Sequence, residues 1–110
     1  MHLGILISLI WIHWYADFYC QNDKMAINKS TSIKWLLLHC GIYGLLLSVF
    51  GFYFALINAF SHFLIDQQSS KLTTKFHVSG DRHNFFVVIG ADQALHLSVL
   101  VLSARYLGII

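Results

Sequence analysis

The amino-acid sequence predicts an all-α fold, a polytopic membrane protein built as a four-transmembrane-helix bundle. Three observations carry that expectation. The 110 residues are 57% hydrophobic and 11% charged, where soluble domains run to about a quarter charged. The mean hydropathy is +0.65. The charges are also segregated: no Asp, Glu, Lys or Arg lies between Met1 and Ala16, or between Trp35 and Ile65. A chain of this length makes one domain, here a single integral membrane domain over 1–110. Its formal charge of +2 is too small to point to nucleic acid.

The first helix is expected over about 2–20. It has no basic n-region and no small-residue cleavage site, so it reads as part of the mature protein rather than a signal peptide. Residues 33–66 are almost continuously apolar, too long for one span of about 20 residues. Gly51 sits near the middle, between Phe50 and Phe52. A tight hairpin there gives helices over about 34–49 and 52–69. The fourth helix is expected over about 85–107, after a stretch, VSGDRHN, that reads as a turn and a helix start. Trp11, Trp14, Tyr15, Trp35 and Phe85 fit an interfacial aromatic belt. Gly41, Gly44 and Ser48 suit close helix packing. Cys20 and Cys40 have no CxxC spacing and read as small buried hydrophobes, with nothing to demand a disulfide.

The linkers are polar. Gln21 to Ser32 holds Lys24 and Lys29, with Lys34 just after. Gln67 to Asn84 holds Lys71, Lys75 and Arg82. In a four-span chain these linkers share one side, and six of the seven basic residues lie there. The positive-inside rule assigns that side to the cytoplasm and both termini to the outside. Lys71 and Lys75 are then within reach of anionic lipid headgroups.

The chemistry sits inside the apolar stretches. The first helix carries His13-x-x-x-Asp17, the third His62-x-x-x-Asp66 and the fourth Asp92-x-x-x-His96. The second carries His39, with Tyr43 one turn on. A separation of four puts both members of a pair on one helix face, where two side chains can grip one metal ion. The order of the pair reverses where the chain direction reverses. In space, each Asp is therefore nearer the cytoplasm and each His one turn deeper. His39, just past the start of its helix, falls at similar depth. Four His and three Asp are expected to converge in the cytoplasmic half of the bundle. An Asp at mid-span costs about 2.5–3.5 kcal/mol, so these three must face inward and find partners. No Lys or Arg lies within the spans to neutralise them, and a divalent cation is the natural counter-charge; the alternative is a metal-free polar network in which Asp and His pair with each other. His13, Asp17, His39, His62, Asp66, Asp92 and His96 are the expected metal ligands, for one or two ions. Asp17, Asp66 and Asp92 double as candidates for the catalytic carboxylates. Zn, Mn and Fe are not distinguished by this set. Gln21, Asn58, Ser61, Gln67, Gln68 and Gln93 are placed to hydrogen-bond the ligands or to cap helices at the interface. His2, His77 and His83 are expected to stay out of the site.

The strings HWYADFYCQ, LLLHCGIYGL, NAFSHFLIDQQSSK and FFVVIGADQALH resemble a family of short phage and bacterial inner-membrane proteins that share a domain of unknown function. That resemblance covers nearly the whole chain. It implies an inner-membrane location and four spans. More loosely, the chain is similar to the LexA-binding, membrane-bound metal-dependent hydrolases, which also carry His and Asp in membrane helices.

Together these readings favour a membrane-embedded metal-dependent hydrolase acting on a lipid or a lipid-linked phosphate or ester near the cytoplasmic face. Its partners are the bilayer and a lipid substrate, with homo-oligomerisation left open. Three alternatives remain. His and Asp ladders also serve divalent-cation or proton transporters and channels. Facing histidines also hold non-haem metal or haem in redox proteins. A holin-like phage membrane protein would need no such cluster.

Overall fold

A computed structural model describes residues 3–20, 28 and 31–110. His2, Gln21, Lys24 and Lys29 lie outside the described residues. The chain is all-α, with four helices among the described residues and no strand. Helix α1, Leu3–Trp14, runs directly into a π-helical turn, Tyr15–Tyr19, closed by Cys20 N–H donating to the Tyr15 carbonyl at 2.9 Å. Helix α2 is Ile33–Leu47 and tightens into a 3₁₀ turn, Ser48–Phe50. Helix α3 is Phe52–Ser79, and α4 is Arg82–Tyr106. The longest interface is α3 on α4, followed by α2 on α3, while α1 packs on α2 and α4.

Each helix boundary has a local cause. Gly51 links α2 to α3 with φ 142°, a backbone conformation that disfavours any residue with a Cβ. The expected hairpin at Gly51 is therefore present. Helix α3 continues ten residues past the expected end at 69, a correction to the sequence reading. The segment 70–79 contains no Pro or Gly, so its polar side chains do not interrupt the helix. Gly80 ends it in the left-handed conformation, φ 76°, as a C-terminal glycine commonly does. Helix α4 starts at Arg82, three residues earlier than expected, because Asp81 caps it: its carboxylate accepts from Asn84 N–H at 3.1 Å. Donation from the Asn84 backbone and side chain holds the exposed Asp81 carboxyl below its ordinary range.

The buried side chains follow helical spacing. In α2 they are Leu36, His39, Cys40, Tyr43, Gly44 and Leu47. In α3 they include Asn58, His62, Asp66 and Ser70, one residue per turn. The apolar core, with Leu9, Tyr43, Leu47, Phe54 and Leu100 at its centre, occupies the Gly51 end of the bundle. The polar residues lie toward the other end. The outer surface is the reverse of a soluble protein's, with Leu45, Val49, Phe52, Phe60 and Leu102 all more than half exposed. Two helices are long and apolar enough to cross a membrane, Ile33–Phe50 and Arg82–Tyr106. The second has only 11% of its most apolar stretch buried, unlike the core helix of a soluble domain.

Gly44 lets α2 and α3 approach: a Cβ there would stand 2.9 Å from the Ala59 Cβ. Gly41, one turn away on the same helix, faces open space. Both glycines would gain up to ~1 kcal/mol of helix propensity on mutation to alanine. Gly41→Ala is therefore expected to raise the thermal midpoint in detergent. Gly44→Ala should fall below it by about 1–3 kcal/mol of overpacking. Equal midpoints for the two variants would contradict the close approach.

Candidate metal centre

Each helix brings its polar residues inward for a reason visible in its own spacing. His13 and Asp17 share the inner face of α1, and Asp17 lies in the π-helical turn. Such widened turns recur where a side chain must be re-aimed at a functional site. His39 lies on the buried face of α2, one turn before Tyr43. His62 and Asp66 lie on the one-per-turn stripe of α3, and Asp92 and His96 on α4. The side chains of His13, Asp17, His39, His62, Asp66 and His96 are at most 5% exposed, and that of Asp92 is 12% exposed.

The structure brings all seven together. Asp17 Oδ1 stands 3.0 Å from both His39 Nε2 and His62 Nε2. Asp66 Oδ2 stands 3.3 Å from His39 Nε2 and 3.3 Å from His62 Nδ1, and its Oδ1 stands 3.0 Å from His96 Nε2. His96 Nε2 also stands 3.2 Å from Asp92 Oδ2. Asp17 and Asp66 thus join helices α1, α2, α3 and α4 through shared imidazoles. The His62 and His96 rings stack at 3.9 Å, and the Tyr43 ring closes over His62 at 4.2 Å.

Hydrogen-bond directions separate His13 from the rest. Gln93 Nε2 lies 3.0 Å from Asp17 Oδ2 and 3.2 Å from Asp92 Oδ2, so it donates to both carboxylates. Its Oε1 therefore faces His13 Nε2, which must donate, at 2.8 Å. His13 Nδ1 then accepts from the Tyr43 hydroxyl at 2.8 Å. Both ring nitrogens are engaged, and His13 Nε2 lies 3.8 Å from Asp17 Oδ2. His13, expected among the ligands, has both ring nitrogens hydrogen-bonded and lies outside the two donor sets described below.

The other three imidazoles each contact two carboxylates, His39 and His96 through Nε2 alone and His62 through both ring nitrogens. His62 faces a carboxylate with each nitrogen, yet a neutral imidazole carries one N–H. One lone pair is then set against an oxygen lone pair. A second proton on the ring, or a cation between the donors, removes that conflict. The 3.0 Å separations of Asp17 Oδ1 from His39 Nε2 and His62 Nε2 are hydrogen-bond lengths and are also compatible with adjacent donors around a small divalent ion, about 3.0–3.4 Å for bonds near 2.0–2.1 Å. Two donor sets have ligand atoms within 4.8 Å of one another: Asp17, His39, His62 and Asp66, and Asp17, Asp92 and His96. Asp17 belongs to both. The residues fit a metal, and the imidazole and carboxylate mixture suits Zn, Mn or Fe.

Several contacts were not singled out in the sequence. Ser69 Oγ donates to Asp92 Oδ1, and Cys40 Sγ lies 3.7 Å from His62 Nδ1. Their signal was position: Ser69 is three residues past Asp66, and Cys40 adjoins His39 on the buried face. Gln93 does hydrogen-bond the ligands. Asn58 instead donates to the Phe54 carbonyl and to Ser103 Oγ, one turn beyond His62, and Ser61 donates to the Asn58 carbonyl. His77 and His83 are exposed and outside the cluster.

These roles separate in metal binding. His13→Ala is expected to weaken metal affinity by about 10–100-fold, as loss of an orienting partner does, with full loading at saturation. His62→Ala removes a donor and should lower the ion count measured by mass spectrometry. Equal losses in both variants would make His13 a ligand.

The family described as "Protein of unknown function (DUF3307)" matches residues 5–109. No curated protein and no solved structure matches the chain. With all but its ends covered by that match, and the His/Asp cluster wholly within it, the chain belongs to the DUF3307 family.

Proposed function

We propose that this protein is a four-span, membrane-embedded metal-dependent hydrolase of the bacterial inner membrane, acting on a lipid or lipid-linked phosphate or ester near the cytoplasmic face. The observation that carries the reading is Asp17, a carboxylate shared by two His/Asp donor sets. Paired divalent ions a few ångströms apart are a recurrent device for hydrolysing phosphate esters.

The inverted burial pattern supports the membrane placement. Buried residues include His13, Asp17, His39, Asn58, His62, Asp66 and His96, while large apolar side chains cover the outside. Lipid is the solvent in which that arrangement is stable. Helix α1 with its π turn, residues 3–19, is about 25 Å long, close to the hydrocarbon thickness of about 30 Å. Lys34 lies at the end of α2 away from Gly51, Lys71 and Lys75 lie in the last third of α3, and Arg82 begins α4, all on the side away from Gly51, as cytoplasmic residues would. The α3–α4 turn extends roughly 15–20 Å past the end of α1, from the residues remaining in α3. The cluster then sits near the headgroup level, where a lipid phosphate is within reach.

The packing favours hydrolysis over conduction. On the Gly51 side of the cluster, Tyr43, Leu47, Phe54 and Leu100 are at most 1% exposed. They close the bundle to an ion path. A bound divalent ion would supply Lewis acidity toward a phosphoryl or acyl oxygen and acidify water. The chain's own part is to hold and orient. Gln93 fixes Asp17 and Asp92, Ser69 fixes Asp92, and the apolar plug excludes bulk water from one side. In the hydrolysis, water adds to phosphorus or to the acyl carbon and loses a proton to a carboxylate. The ester bond breaks, and the departing oxygen takes up a proton.

The test is hydrolysis of a panel of lipid phosphates and esters by detergent-purified protein. Activity is expected to require added metal and to vanish in His62→Ala and Asp66→Ala. Metal-replete protein inactive across the panel would overturn the hydrolase reading.

A further inference from the structure

The two donor sets that share Asp17 are unequal. The first, Asp17, His39, His62 and Asp66, offers four protein donors, all buried. The second, Asp17, Asp92 and His96, offers three, and Asp92 is the one ligand-type side chain of the seven with substantial exposure, 12%. Ser69 and Gln93, which hold Asp92, are likewise only part-buried. Metal sites closed by four protein ligands are structural, whereas sites with three keep a position for water or substrate.

A second observation lies one turn past Asp66. Ser70 is 4% exposed, and its Oγ has no hydrogen-bond partner. It continues the Asn58, His62, Asp66 stripe by one more turn and directly follows Ser69, the residue that binds Asp92. A buried hydroxyl without a partner costs free energy that a bound ligand recovers.

Resting on the metal-centre reading above, we propose that the two positions divide the work. Asp17, His39, His62 and Asp66 hold a permanent ion. Asp17, Asp92 and His96 hold an exchangeable one, whose open side takes an oxyanion of the phosphate class with Ser70 as hydrogen-bond donor. The permanent position ties α1, α2 and α3 together. The exchangeable position adds α4 and faces the substrate.

The test is metal content of the detergent-purified full chain, loaded with Mn²⁺ or Zn²⁺ and dialysed against a mild chelator. Wild type is expected to fall from about two ions per chain to about one. Asp92→Asn should load about one ion and keep it through dialysis. Inorganic phosphate in the dialysis buffer should slow loss of the exchangeable ion in wild type. Ser70→Ala should load like wild type and lose that protection. Simultaneous loss of both ions, loading of a single ion by wild type, or two ions held by Asp92→Asn would overturn the division of roles while leaving a metal centre standing. Undiminished phosphate protection in Ser70→Ala would overturn the role of that hydroxyl. A wild type that loads no ion would overturn the metal centre itself.

Discussion

The structure depends on one constraint: three carboxylates lie inside a bundle with an apolar exterior, and each must be matched by a positive partner. Breaking a buried ion pair by removing one member costs about 3–5 kcal/mol, because the remaining charge is left without solvent. The fold meets this by routing every helix through the same few oxygens. Asp17 Oδ1 lies against His39 from α2 and His62 from α3, while Asp66 lies against His39, His62 and His96. The carboxylates therefore hold the bundle together as well as form the candidate centre. Packing at the far end is ordinary by comparison, with Leu, Phe and Ala in a close-packed core and Gly44 admitting Ala59.

Much of this was legible because the helices are long and the period is simple. The four-residue spacing of His13/Asp17, His62/Asp66 and Asp92/His96 fixes a shared face in each helix. The reversal of order in α4 fixes the common depth. Gly51 was readable as a hairpin because it lies near the middle of an apolar run too long for one span. The end of α3 was not readable, because a polar segment without Pro or Gly is compatible with either a loop or a helix. Gly80 and Asp81 set the stop and the restart within VSGDRHN, the stretch that read as a turn and a helix start.

The role of His13 was hidden for a different reason. Its spacing to Asp17 is the same as that of the ligand pairs. What distinguishes it is three-dimensional: Tyr43 and Gln93 occupy both of its nitrogens, and residues from α2 and α4 supply those contacts. Sequence spacing identifies which residues share a face. It does not identify which nitrogen already has a partner, or that Ser69 would reach Asp92 from the neighbouring helix.

The most direct test of the central claim is X-ray absorption at the edge of whichever metal copurifies with the wild-type protein. A mixed nitrogen and oxygen shell at about 2.0–2.2 Å, with the outer-shell signature of imidazole, is the predicted result. A shell of oxygen alone, as for a hydrated surface ion, or protein that carries no metal after reconstitution, would contradict it. The cluster would then be a metal-free network of histidines and carboxylates.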